Sequence, residues 1–239
     1  MNVLSWILWV WLALPVAYML VFAIAARLEK SSGNGAGAGK SSFIVLIPAY
    51  KSDAFIAQTA AAALEQNYPS DRFRVLVISD SMSPETVLKL RETGAEVLEV
   101  SFENSTKAKS LQSAMEFLGP QAADYVVILD SDNIVDSGFL GALDGAFQSG
   151  AKAVQAHRTA KNTDTPVAML DAATEEINNS IFRKGHCALG LSSALIGSGM
   201  AFPYGWFSRA LPCSSPRAKT RRWNSGSFPT ASRWNIWTK

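Results

Sequence analysis

The chain has 239 residues, of which 48% are apolar and 18% charged, and its formal net charge is +2. This composition excludes an intrinsically disordered chain, a collagen-like repeat and a disulfide-built miniprotein. Residues 208–239 hold seven of the 22 basic residues and no acidic residue, so residues 1–207 carry 15 basic and 20 acidic residues, a net charge of −5. Such an acidic body is not expected to bind nucleic acid.

The first predicted element is a membrane-spanning helix. Residues 1–26 contain 23 apolar residues and no charged one, and 21 helical residues from Trp6 onward would span roughly 30 Å, the thickness of the hydrocarbon core. Arg27 and Lys30 follow its end, which predicts a single-pass protein of the cell (inner) membrane with an outside N-terminus and a cytoplasmic body. A cleaved signal peptide is the alternative, but the apolar run is long for one and no basic residue precedes it.

The chain divides by composition into four parts. Residues 1–30 form the anchor, and the Gly/Ser-rich residues 31–42 are predicted to be a flexible linker. Residues 43–207 form the body, and residues 208–239 form an irregular basic tail.

Strands and helices alternate along the body. Continuous apolar, β-branched runs predict buried strands, and the segments between them read as helices. The predicted strands are residues 43–47, 74–79, 97–100, 124–129 and 151–155; the predicted helices are residues 54–66, 84–93, 107–118, 138–148 and 167–183. This alternation predicts an α/β fold, a mostly parallel sheet with helices on both faces.

Polar residues follow several predicted strands, at the sheet edge where ligands bind in such folds. Tyr50 ends the segment after the first strand, Asp80 follows the second, and Asp130 and Asp132 follow the strand at 124–129. Two carboxylates spaced two apart in extended backbone face the same side, and such a pair suits Mg²⁺ or Mn²⁺ together with substrate phosphates. The plainer interpretation is that Asp132 only caps a turn, but the two other strand-end clusters favour the metal site.

Taken together, five segments resemble family-2 glycosyltransferases of the GT-A fold, in their membrane-anchored bacterial form. The resemblance covers about residues 43–207. Its segments are Ile-Pro-Ala-Tyr at 47–50, Val-Leu-Val-Ile-Ser-Asp at 75–80, Lys-Ala-Lys-Ser-Leu-Gln at 107–112, Ile-Leu-Asp-Ser-Asp at 128–132 and Gly-Ser-Gly-Met at 197–200.

The resemblance implies a nucleotide-sugar donor, commonly a UDP-sugar, and inverting transfer to the hydroxyl of a sugar or lipid acceptor. It implies that Pro48, Ala49, Tyr50 and Asp80 bound the nucleoside and that Lys107 lies near the diphosphate. By the same resemblance, Asp130 and Asp132 hold the ribose and the Mg²⁺ or Mn²⁺. The second strand ends in Ser79-Asp80 where the family more commonly has Asp-Asp-x-Ser, so the contact to the base rests on one carboxylate.

The general base of the reaction is the missing part. In this family it is an Asp in an acidic motif after the Gly-Ser-Gly segment, yet no acidic residue follows Glu176. We therefore expect a truncated, frameshifted chain from about residue 207 onward, with impaired activity. Codons for residues 217–224 can be chosen that encode Gly-Glu-Asp-Lys-Glu-Met-Glu two bases later. The alternative for the tail is a genuine basic segment that binds anionic lipid.

Two other functions remain open from the sequence. A nucleotidyltransferase would use the same strand-end carboxylates on a nucleoside triphosphate. A non-catalytic, membrane-tethered module that binds nucleotide sugars would need no general base.

Overall fold

The computed structural model describes residues 2–28, 39–160, 163–211 and 235–236. The chain divides into two compact units. The first comprises Met1–Gly33, Ala156–Ala194 and Ala231–Lys239, and the second comprises Asn34–Gln155 and Leu195–Thr230.

Helices and strands alternate through the second unit, and further helices form the first. In chain order the elements are α1 (Val3–Leu28), β1 (Phe43–Tyr50), α2 (Ile56–Leu64), a 3₁₀ turn (Ser70–Arg72), β2 (Phe73–Asp80), α3 (Pro84–Glu92), β3 (Glu96–Val100), α4 (Lys107–Leu118), β4 (Tyr125–Ile128), α5 (Phe139–Gln148), β5 (Val154–Gln155), α6 (Pro166–Ile177), a π-helix (Asn178–Gly185), α7 (His186–Ala188), β6 (Met200–Pro203), α8 (Tyr204–Ala210) and β7 (Asn235–Ile236).

The second unit is built on a mostly parallel sheet, which confirms the predicted fold class. Its strands run in the order β3-β2-β1-β4-β6-β5. The first four are parallel to one another, and β6 pairs antiparallel with both β4 and β5. The order places β1 at the centre of the parallel part, between β2 and β4, so their carboxyl ends lie together at one edge.

The central strands form because their apolar runs bury side chains on both faces. Ile44, Leu46 and Ile47 in β1 and Leu76 and Ile78 in β2 are all fully buried. Parallel strands covered on both faces need apolar residues at successive positions, rather than at alternate ones.

Side-chain caps fix where three helices begin. The hydroxyl of Ser83 accepts a hydrogen bond from Thr86 N, and Pro84 occupies the first turn of α3, as the sequence predicts. The hydroxyls of Thr106 and Thr165 cap α4 and α6 in the same way. The predicted helix at residues 107–118 is confirmed to the residue.

Several predicted bounds differ from the structure. The first strand continues to Tyr50 and the second to Asp80, because these residues still pair with each other in register. The strand predicted at 151–155 is only Val154–Gln155. The helix predicted at 167–183 stops being α-helical at Ile177 and continues as the π-helix.

The end of the predicted linker is anchored. The hydroxyl of Ser41 donates to Asp144 Oδ1 at 2.5 Å, and Ser42 N donates to Asp124 Oδ2 at 2.8 Å. The linker prediction at 31–38 lies outside the described residues.

In the first unit, the carboxyl-terminal turns of α1 pack against the π-helix, and Phe22, Ala25 and Ala26 are buried. Most of the other apolar residues of α1 are exposed. Of the described helices, α1 is the one long and apolar enough to cross a membrane, a test that core helices of soluble proteins and signal sequences also pass.

Candidate functional site at the carboxyl edge of the sheet

Asp80 is a buried carboxylate at the end of β2. It pairs in register with Tyr50, the last residue of β1, and has no exposed surface. Ser81 Oγ donates to its Oδ1 at 3.0 Å, whereas its Oδ2 has no hydrogen-bond partner within the described part of the chain. A buried acceptor without a donor is costly, so this oxygen is suited to an N–H group from a ligand.

The backbone is strained directly after both strands. Lys51 and Ser81 have φ angles of 48° and 58°, in the left-handed region that residues other than glycine seldom adopt. Lys51 N donates to Asp80 O at 3.1 Å, which holds the two segments together. Strain of this kind occurs preferentially at ligand sites.

The residues predicted to bound the nucleoside lie together at this edge. Ala49 is buried, Pro48 is half-buried and Tyr50 is 52% exposed. The aromatic ring of Tyr50 is thus the accessible surface at the end of β1.

Lys107 meets Asp130 although 23 residues separate them. Its Nζ donates to Asp130 Oδ1 and, at 2.5 Å, to the carbonyl oxygen of Gly197. Lys107 is the first residue of α4, so the Thr106 cap also fixes its place. Both side chains remain partly exposed, at 36% and 42%.

The prediction that extended backbone places the carboxylates of Asp130 and Asp132 on the same side is wrong. The strand β4 ends at Ile128, and Ser131 and Asp132 form a turn in which Asn133 N donates to Asp130 O at 3.2 Å. The two carboxylates therefore do not share a side through strand alternation. Asp132 is exposed in this turn.

Ser198 and Gln155 hold this turn in place, and the sequence analysis assigned neither of them a role. The Ser198 hydroxyl accepts hydrogen bonds from Asp130 N at 2.8 Å and from Asn133 Nδ2. Gln155 donates from Nε2 to Ser198 O at 2.9 Å and accepts from Ile196 N at 3.0 Å. A serine between Gly197 and Gly199, both with positive φ, was the available signal, since such glycines permit a tight loop around a buried hydroxyl.

Other contacts tie the site to the segment after β1. Thr59 Oγ1 donates to Ser131 O at 2.8 Å. Hydrogen bonds from Thr86 and Ser83 lower the pKa of Asp53 to about 2, so this side chain is ionised and anchors the loop to the start of α3.

The carboxylates predicted to hold a cation are Asp130 and Asp132. No group of three or more His, Cys, Asp or Glu side chains that could hold a metal ion occurs among the described residues. Mg²⁺ nevertheless needs only one or two carboxylates when substrate phosphates and water complete its shell, so Asp130 and Asp132 fit that ion and Mn²⁺.

The comparisons with known proteins cover most of the chain. Residues 40–211 match the family described as "Glycosyltransferase like family 2". No curated protein matches the chain. Most of the predicted basic tail lies outside the described residues. Beyond Leu211, the structure describes only Asn235–Ile236.

Solved structures share the fold at low identity. The mannosyltransferase PcManGT from Pyrobaculum calidifontis, in complex with GDP-Man and Mn²⁺, is 19% identical with a TM-score of 0.59, over 83% of this chain and 56% of that one. The glucosyl-3-phosphoglycerate synthase of Mycobacterium tuberculosis, with Mn²⁺, UDP and phosphoglyceric acid, is 19% identical with a TM-score of 0.47, over 74% and 61%. The chain thus spans less than two thirds of either protein.

Proposed function

Because the chain belongs to glycosyltransferase family 2 and has the GT-A fold, we propose that it binds a nucleotide-diphosphate sugar, in particular a UDP-sugar. The site is the carboxyl edge of β1, β2 and β4. The reaction is transfer of the sugar, with inversion, to a hydroxyl of a sugar or lipid acceptor.

The buried Oδ2 of Asp80 is the observation that carries this proposal. Uracil offers one ring N–H between two carbonyl groups, and that N–H can satisfy the acceptor once the groups that cover Asp80 move aside. The exposed ring of Tyr50 beside it provides a surface on which the base can stack. GDP-Man, which is bound in the mannosyltransferase structure named above, also carries a base with a ring N–H.

Lys107 and the carboxylates of the turn would manage the charge of the diphosphate. As the sugar leaves, negative charge develops on the phosphate oxygens, and the Lys107 ammonium can stabilise it. Asp130 and Asp132 would hold Mg²⁺ or Mn²⁺, which supplies Lewis-acid stabilisation of the leaving group when bound. Ser198 and Gln155 keep the turn in shape.

The chain offers no acidic residue after Glu176 to act as general base. Without a base positioned to take the acceptor proton, transfer loses a factor of about 10² to 10⁴. We therefore propose that residues 1–239 by themselves bind the donor but transfer sugar poorly.

The membrane is part of the proposed setting. The outer surface of α1 is apolar, with Trp6, Trp9 and Trp11 exposed near one end and Arg27 at the other. This arrangement is typical of a spanning helix whose basic flank is cytoplasmic, so the donor site would face the cytoplasm.

Calorimetric titration of UDP and a UDP-sugar into the full chain, with Mn²⁺ present, tests the proposal. Asp80→Asn, Asp130→Ala and Asp132→Ala should each weaken binding by about 10- to 100-fold, the value of a hydrogen bond or ion contact to a charged group. EDTA should have a similar effect, which added Mn²⁺ reverses.

Asp71→Ala is the matched control, because Asp71 is a largely exposed carboxylate on the 3₁₀ turn. Equal affinity of the parent and all three site variants would overturn the site. Preference for an intact nucleoside triphosphate over the UDP-sugar would favour a nucleotidyltransferase instead.

A further inference from the structure

The helix α6 exposes its apolar side, the reverse of a helix in a water-soluble domain. At about 100° per residue, Val167, Met169, Leu170 and Ile177 fall on one side. Their exposed fractions are 68%, 60%, 69% and 50%. Within α6 no residue is buried.

Glu175, on the side of α6 opposite Leu170 and Ile177, is turned towards the protein, with a side chain 27% exposed. Glu175 accepts a hydrogen bond from Arg183 Nη1 at 2.9 Å, and Arg183 also donates to Asn179 Oδ1. Arg183 and Asn179 are buried. The contacts that fix the rotation of the helix reach the segment before it. Asn179 Nδ2 donates to Arg158 O at 2.7 Å, and His157 Nε2 lies 3.1 Å from Glu176 Oε2.

The π-helix that continues α6 is packed tightly on α1. A Cβ atom at Gly185 would lie 2.4 Å from the carbonyl oxygen of Phe22, so only glycine allows this approach. Tyr18 Oη and His186 Nε2 are 2.7 Å apart, and the rings of Phe22 and His186 are 4.2 Å apart. The segment that carries α6 is therefore fastened to the last turns of α1, next to the basic end at Arg27.

We propose that α6 lies in the interface of the bilayer that α1 crosses, with Val167, Leu170 and Ile177 at the boundary of headgroups and acyl chains. An amphipathic helix with an exposed apolar side is the usual form of such a segment. Its occupant is lipid because α6 belongs to the same compact unit as α1, whose other apolar residues are also mostly exposed. This proposal rests on the membrane-spanning role proposed for α1 and is independent of the donor site.

Nitroxide accessibility in lipid vesicles tests the placement. The full chain, with Cys213→Ser and with the buried Cys187 retained, is reconstituted into phosphatidylethanolamine–phosphatidylglycerol vesicles. Single labels are placed by Leu170→Cys and Ile177→Cys, with Asp171→Cys as the matched neighbour on the charged side and Leu12→Cys as the reference within α1. Collision with molecular oxygen, which partitions into lipid, is compared with collision with a water-soluble nickel chelate.

Labels at residues 170 and 177 should collide several-fold more with oxygen than with the chelate, as at residue 12, and the label at residue 171 should show the opposite. Equal access of the chelate to residues 170 and 171 would place the helix in water and overturn the proposal. Protection of residue 170 from both reagents would also overturn it, since a second copy or another protein segment would then cover the face. Val167→Cys replaces any labelled variant that fails to fold, and no nucleotide is involved, so the result is separate from donor binding.

Discussion

At the residue scale, Lys107 is held by two acceptors that come from distant parts of the chain. Asp130 contributes a carboxylate oxygen and Gly197 a backbone carbonyl. One ammonium thus joins the start of α4 to the turn after β4 and to the loop before β6. In the proposed donor complex the ammonium would already be in place, so little reorganisation would be needed when a diphosphate binds.

Lys107→Ala should therefore reduce the affinity for UDP by about 10- to 100-fold, the range expected when a charged hydrogen bond is lost. Lys109→Ala is the matched control, because the Lys109 ammonium lies two residues along the same helix and donates to Asn104 O. Calorimetric titration of UDP with Mn²⁺ measures both. Equal losses in the two variants would mean that Lys107 acts only through the general charge of the site.

At the element scale, Asp144 on α5 fastens the chain as it enters β1. Its side chain is fully buried. The carboxylate accepts hydrogen bonds from Ser41 Oγ at 2.5 Å, Lys40 N at 3.2 Å and Gln148 Nε2 at 3.4 Å. Burial by itself raises the pKa of this carboxyl, but the hydrogen bonds from Ser41, Gln148 and Lys40 outweigh it and hold the pKa below its usual value of 3.8.

Asp144→Asn should lower the free energy of unfolding by about 1–3 kcal/mol at pH 7, because an amide N–H₂ then faces donors in a buried site. A lowered carboxyl pKa stabilises the fold above pH about 4, and that contribution is lost as the pH falls below it. Denaturant unfolding should thus show a difference in the free energy of unfolding between the parent and Asp144→Asn that becomes smaller at acid pH. Asp71→Asn, on the surface, should unfold with the same free energy as the parent. A difference for Asp144→Asn that stays unchanged at low pH would contradict the assignment.

The contact of the π-helix with α1 depends on one missing methyl group. Gly185→Ala should lower the free energy of unfolding of the full chain in detergent by about 1–3 kcal/mol, the usual cost of overpacking. Gly205→Ala is the control, since Gly205 lies within α8 and a Cβ there meets only the end of the Arg209 side chain, at 3.6 Å. Equal melting temperatures for the two variants would show that α1 and the π-helix do not pack in solution as described.

At the scale of the whole molecule, the proposed orientation in the membrane follows from the charges of the chain. Intact bacterial cells that express Asn2→Cys should be labelled by a membrane-impermeant maleimide, whereas Asp71→Cys should be labelled only after permeabilisation, both in a Cys213→Ser background. The reason is the basic end of α1 at Arg27, which favours the cytoplasmic side. The reverse pattern, or labelling of neither cysteine in intact cells, would contradict this orientation.

The sequence predicts the parallel part of the sheet well, because every side chain of a run such as Phe43–Ile47 is buried. A short, continuous apolar run of this kind is typical of a strand covered on both faces. It fails where backbone geometry depends on distant partners. The π-helix follows from the packing of Gly185 on α1, and the turn at Asp130 follows from a hydroxyl 68 residues away, at Ser198. The carboxylates of Asp80 and Asp130 could be proposed from their places at strand ends, whereas Gln155 carried no such signal.

The side chain of Gln155 also has an evolutionary consequence. By binding Ile196 N and Ser198 O, it brings together the two points at which the chain leaves the donor-site unit and returns to it. Residues 156–194 therefore form an insert whose ends are closed by the parent unit itself. Such an insert can change in length or sequence without altering the hydrogen bonds that hold the turn at Asp130.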